Sequence, residues 1–193
     1  MRLMSGPGRW LGVTRALVCV TVVLSTAVLV ESGESIASAA TSPIATCGAA
    51  ETEVWAAVEG VGTAGTIYYE LELSNVGNRT CTLRGYPSVW GVNAHGVKVG
   101  VPASDSGSPG RVVLRPGATA HAVLGVTTTG AVCGTLVVAA AGLRVVPPGQ
   151  TLPKTPGERD EVEHFPLQVC ASRSSMHVLP VHAGTGIPNY SFS

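Results

Sequence analysis

The sequence predicts an all-β fold: an antiparallel β-sandwich of about eight or nine short strands, preceded by a signal-peptide helix. Three observations carry this reading. The 193 residues include 24 glycines and 13 prolines, which cut the chain into short segments and oppose helix interiors. Charged residues make up 12% of the chain, about half of the usual ~25%, and no helical period is sustained beyond the N-terminal region. Stretches of alternating apolar and polar residues stand between clusters of Gly, Pro, Asn and Ser, as half-buried strands stand between turns.

The N-terminal region has the three parts of an export signal in order. Arg2, Arg9 and Arg15 form a positive start, residues 16–30 (ALVCVTVVLSTAVLV) an uncharged apolar run, and Ala37, Ser38, Ala39 and Ala40 a small-residue cleavage site. The run of 15 residues is shorter than the roughly 18 to 20 that span a bilayer, and Glu31 and Glu34 close it. Cleavage before Ala40 or Thr41 is expected, with membrane attachment only if the signal is retained as an anchor. Neither Cys19, after Val18, nor Cys47, after Thr46, fits a lipid-attachment cysteine. The expected organisation is a signal peptide over 1–40, a linker over 41–46, a β-sandwich over 47–181 and a flexible tail over 182–193.

Export gives the cysteines a meaning. With Cys19 removed, Cys47, Cys81, Cys133 and Cys170 remain, an even set in an oxidising compartment and hence two disulfides. Three pairings are possible; Cys47–Cys81 and Cys133–Cys170 are expected because each links neighbouring segments. No Cys-x-x-Cys spacing suggests a zinc or redox site.

The elements follow in chain order. Residues 66–73 (TIYYELEL) put Ile67, Tyr69, Leu71 and Leu73 on one face and Thr66, Tyr68, Glu70 and Glu72 on the other, a half-buried strand. Asn75, Val76, Gly77 and Asn78 turn the chain into a short strand over 80–83. A Gly85-Tyr86-Pro87 corner precedes strands over 88–92 and 97–101, and residues 102–110 read as loop. A strand over 112–115 leads through the Pro116-Gly117 turn to another with Ala120, Ala122, Leu124 and Val126 inward. Residues 136–146 read as a strand bent near Gly142, and the last strands fall in 162–170 and 176–181.

The run from Leu73 to Val89, with its core Cys81-Thr82-Leu83-Arg84-Gly85-Tyr86-Pro87, resembles the secreted actinobacterial family called domain of unknown function 4232. Cys47, the Leu114-to-Gly117 turn, Cys133, the Val145-to-Gly149 segment and Cys170 extend the likeness over nearly all of the chain after the signal. The resemblance implies an exported immunoglobulin-like β-sandwich, with no reaction or ligand attached. The charged segment 154–163 has no place in the family pattern.

Candidate chemistry is sparse. Glu70 and Glu72 share one strand face about 6.6 Å apart, near the spacing of glycosidase carboxylate pairs, but the pattern is that of a solvated acidic face. His95, His121, His164, His177 and His182 show no metal-ligand spacing. Ser104, in Ser-Asp-Ser-Gly, lacks a nucleophile elbow. Pro156 spoils the Leu-Pro-x-Thr-Gly likeness of residues 152–157, and Asn78 and Asn189 head formal glycosylation triplets. No cofactor or metal is expected. Tyr68 and Trp90, with Trp55 beside them as an alternative, are candidates for a binding surface that stacks on a sugar or meets a protein.

Removing the signal leaves a net charge of about −1 with no basic block, which excludes a nucleic-acid footprint. The expected role is a non-enzymatic envelope or extracellular interaction domain whose partner is an envelope protein or glycan. The alternatives are a secreted hydrolase using Glu70, Glu72 or carboxylates in 160–163, and a metal carrier in which histidines converge with Met176.

Overall fold

A computed structural model describes residues 42–151, 161–162 and 164–187. The export signal, the segment 152–160 with Glu163, and residues 188–193 lie outside the described residues. No helix among the described residues is long and apolar enough to cross a membrane.

A short 3-10 turn at Ala49–Glu51 precedes strands β1 (Thr52–Ala56), β2 (Val61–Thr63), β3 (Thr66–Asn75), β4 (Cys81–Arg84), β5 (Ser88–Val92), β6 (Lys98–Val99), β7 (Ser104–Asp105), β8 (Arg111–Leu114) and β9 (Thr119–Thr127). A single helical turn, α1 (Thr129–Val132), follows, then β10 (Val137–Ala140), β11 (Gly142–Val146), β12 (Glu161–Val162), β13 (Leu167–Cys170) and β14 (Met176–Val178). The fold is all-β as expected, although the strands are more numerous, with β3 longer and β6 and β14 shorter than expected. Residues 102–110 contain the two-residue β7, which pairs parallel with β14, a departure from the antiparallel expectation. The apolar stretch 136–146 breaks at Ala141, sending β10 to pair with β13 and β11 with β5. Gly142 lies at the change of direction, where the absence of a side chain weakens a continuous strand.

The largest sheet has the order β1-β3-β9-β14-β7, with β2 also on β3. Its spine is the β3–β9 pair, in register from Thr66 opposite Thr127 to Ser74 opposite Thr119. The period-two alternation buries Leu71, Leu73, Ala120, Ala122 and Leu124 completely. They share one core with Leu83, Val89, Leu114, Leu143, Val145 and Val169, which belong to the three smaller sheets β4-β8, β12-β11-β5-β6 and β10-β13. Inner faces of facing sheets thus bury one apolar layer, the sandwich arrangement.

Asn75, 0% exposed, explains the Asn-x-Gly turn. Its Nδ2 donates to the carbonyls of Arg79 (2.8 Å) and Leu114 (3.1 Å), and its Oδ1 accepts the Gly77 N–H at 3.0 Å. One buried side chain therefore satisfies backbone on both sides of the turn. A Cβ on Gly77 would lie 2.9 Å from Glu51 Cβ, so the glycine is needed for close approach. The Gly85-Tyr86-Pro87 corner is likewise structural. Gly85 takes φ of 100°, its N–H donates to Gly110 O and its carbonyl accepts from Val181 N–H, and the Tyr86 hydroxyl donates to Gly107 O.

Both expected disulfides are present, Cys47–Cys81 and Cys133–Cys170, with Cα separations of 4.8 and 5.1 Å. The first ties the segment ahead of β1 to β4, and the second ties the end of α1 to β13. They mark an oxidising, extracytoplasmic setting.

Candidate functional site

The outer face of the large sheet gathers the polar residues that alternate with its core. On β3 these are Tyr68, Glu70 and Glu72, as their period requires. Strand register then fixes their neighbours. Glu72 lies opposite Trp55 on one side and His121 on the other, Glu70 opposite Val123, and Tyr68 opposite Gly125. Beyond β9, His177 stands opposite Gly125.

The chain does not leave the sheet after β14. Leu179 N–H donates to Val123 O, and His121 and His182 exchange backbone hydrogen bonds of 3.0 and 2.8 Å. From Val178 opposite Leu124 to His182 opposite His121, the later segment takes one residue more than β9, a bulge that sets His182 beside His121. Trp55, Glu72, His121 and His182 therefore form a row across four adjacent chain segments, about 5 Å apart at each step. The two imidazole rings have centroids 6.1 Å apart.

The chain then turns back, so that Gly186 N–H donates to Glu70 Oε1 at 2.5 Å and Ile187 is buried. Of the expected tail over 182–193, the described residues 182–187 bond to the sheet through the His121 bridge and Glu70, and residues 188–193 lie outside the described residues. This docking also changes the acidic face. Glu72 is exposed as expected, but the Glu70 side chain is only 16% exposed and that of His121 6%. Glu70 Oε1 lies 2.8 Å from His121 Nδ1, without the alignment of a hydrogen bond. One donor atom each from Glu70, Glu72 and His121 falls within 4.8 Å of the others.

A second group lies further along the face. Gly125 has no side chain, and the His177 ring occupies the space where a Cβ would stand, 2.2 Å from Cε1. Tyr68 meets that ring edge-on at 5.7 Å. Burial holds the His177 pKa below its ordinary 6.5, because a desolvated imidazole resists charging.

Trp90 does not belong to a surface. Its strand β5 runs between β11 and β6, and the ring is 9% exposed, clustered with Val92 and Val146, with Lys98 Nζ 5.5 Å from its centroid. The exposed tryptophan is Trp55, at 61%. Tyr68 is half-buried. Met176 points into the core at 2% exposure, away from the outer-face histidines, so histidines converge with Glu70 and not with Met176. His95 and His164 are exposed and lie outside the strands of the large sheet, and Ser104 spends its hydroxyl on Met176 O at 3.3 Å. Asp160 and Glu163 lie outside the described residues.

His121 is the residue that spacing along the chain does not reveal, since 49 positions separate it from Glu72. The signal that finds it is strand register: once β3 and β9 pair through Leu73 and Ala120, His121 must face Glu72.

Residues 47–181 match the family described as Domain of unknown function (DUF4232). No curated protein matches the chain.

Proposed function

The chain belongs to the DUF4232 family, and from that premise we propose that it is an exported, non-enzymatic binding module of the cell envelope or extracellular space, whose ligand is an envelope glycan. The observation that carries the proposal is Trp55, a large apolar side chain 61% exposed on an edge strand and directly opposite the exposed carboxylate of Glu72. An exposed indole beside a hydrogen-bond acceptor suits a sugar, whose ring face stacks on the aromatic while its hydroxyls donate to the carboxylate. Export is supported by the N-terminal signal pattern and by the two disulfides.

The same geometry favours binding over hydrolysis. Glycoside hydrolysis by paired carboxylates needs both to meet the substrate, whereas the Glu70 side chain is only 16% exposed and lies under the returning chain at Gly186. Co-sedimentation of the purified protein with insoluble cell-wall polysaccharide tests the reading. The wild type should be retained saturably and Trp55→Ala retained at least about tenfold more weakly, the loss expected when an aromatic anchor is truncated. Absence of retention, or equal retention of the variant, overturns it.

A further inference from the structure

We infer that Glu70, Glu72 and His121 form a binding site for one divalent transition-metal ion of the zinc type. The inference goes beyond glycan binding and stands whether or not Trp55 meets a sugar.

The donor set is the first ground. Two carboxylates and an imidazole offer three protein ligands of the kind found at open zinc sites, where a water or an outside ligand completes the shell. Their two negative charges balance a divalent cation. Without thiolate or thioether among them, they favour Zn²⁺ over Cu⁺.

The second ground is the state of His121. Its ring is almost fully buried, and Nδ1 lies 2.8 Å from Glu70 Oε1 yet off the hydrogen-bond direction. A simple buried ion pair gains most by aligning N–H with the carboxylate. Here Nδ1 is buried beside the carboxylate without a hydrogen-bond partner, a state that a cation shared with Glu70 would satisfy. The three donor atoms lie within 4.8 Å. Two ligands of one tetrahedral ion with bonds of about 2.1 Å are about 3.4 Å apart, and a change of rotamer of the exposed Glu72 side chain would close the remaining distance.

The support around the donors is the third ground. Gly186 N–H holds Glu70 Oε1, and paired backbone bonds to His182 hold the His121 main chain, so outer contacts orient two ligands on a rigid sheet. Glu72 opens the site toward solvent beside Trp55.

Isothermal titration of the chelator-stripped protein with ZnCl₂ tests the site. One Zn²⁺ should bind per chain, Glu72→Gln should weaken binding at least about tenfold, and His121→Gln should weaken it further. His95→Gln, on the exposed turn near Asn93, should bind as the wild type does. Because Glu72 is exposed, its variant keeps the fold, with circular dichroism as the check, and decides the issue even if the His121 variant does not fold. In a Trp90→Phe background, where Trp55 is the emitting tryptophan of the chain after the signal, Ni²⁺, a quencher, should in addition reduce the fluorescence with one-to-one stoichiometry, and should not when Glu72→Gln is added. No saturable Zn²⁺ binding up to millimolar concentration, or equal affinity in Glu72→Gln, overturns the site.

Discussion

Replacing Cys47 and Cys81 together by alanine should cost about 4 kcal/mol of stability while leaving the native fold in place. The disulfide closes a loop of sequence separation 34, and the chain-entropy relation for a loop of that length gives about 3.8 kcal/mol at 25 °C. Native contacts should survive because the ends of the loop are tied independently. Cys47 N–H donates to Thr82 O at 3.0 Å, Thr82 N–H to Ala45 O at 2.8 Å, and Gln150 Nε2 to Cys47 O at 3.1 Å. The effect therefore falls mainly on the unfolded chain, which becomes free to expand. Urea unfolding read by near-ultraviolet circular dichroism checks this: the variant should keep the native spectrum, unfold at a lower midpoint and show a steeper slope, because its unfolded state exposes more surface. Against a total of about 5–15 kcal/mol for a domain, a loss near 4 is large. A loss below about 1 kcal/mol, or collapse of the native spectrum without denaturant, would refute the reasoning.

Two further outcomes are expected. Asn75→Ala leaves the carbonyls of Arg79 and Leu114 and the Gly77 N–H without their side-chain partner; a loss of about 2–3 kcal/mol in urea unfolding is expected, and one below about 0.5 kcal/mol would mean that the turn does not depend on this side chain. His177 has its native pKa held below 6.5 by burial, so as pH falls through 6.5 the unfolded chain takes up a proton that the native state resists. The stabilising contribution of neutral His177 is thus complete above the unfolded value and declines below it. Unfolding measured from pH 7.5 to 5 should show a steeper fall in stability for the wild type than for His177→Gln, and an NMR titration of His177 should have its midpoint below the ordinary value; equal slopes, or an ordinary midpoint, would contradict the burial argument.

The sequence makes the core of this molecule legible because burial and alternation coincide there. Leu71 and Leu73 on β3 alternate with more exposed residues as in a half-buried strand; on β9 the inward Ala120, Ala122 and Leu124 are fully buried as their alternation implies, although His121 and Val123 on the other face are buried as well. The disulfide pairing is legible because each bridge joins segments within one half of the chain, Cys47 to Cys81 and Cys133 to Cys170. The corner at Tyr86 and the turn at Gly77 also announce themselves through residues that few other backbone conformations require.

The outer face is harder to read. Alternation places Glu70 and Glu72 there correctly, but it says nothing of what covers them. Their different exposure depends on the chain from 179 to 187 continuing along β9 and turning back, a non-local event carried by residues such as Gly184 and Gly186 whose composition is that of a loose tail. Trp90 misleads in the opposite way. Its strand, SVWGV, shows no alternation because both faces of β5 are covered, Val89 by the main core and Trp90 and Val92 by the cluster with Val146, so that only Ser88 is exposed. His121 joins the acids only through register, which no local pattern contains.

Export and cleavage near residue 40 are proposals, and the two disulfides of the structure accord with them. Intact-mass measurement of the protein recovered from outside the cell, before and after reduction, tests them most directly. The account predicts a chain beginning at Ala40 or Thr41 whose mass rises on reduction by the hydrogens of two disulfides, with Cys47–Cys81 and Cys133–Cys170 peptides in the non-reduced digest. A chain that retains residues 1–40 and stays inside the cell, with Cys47, Cys81, Cys133 and Cys170 recovered as free thiols, would contradict it.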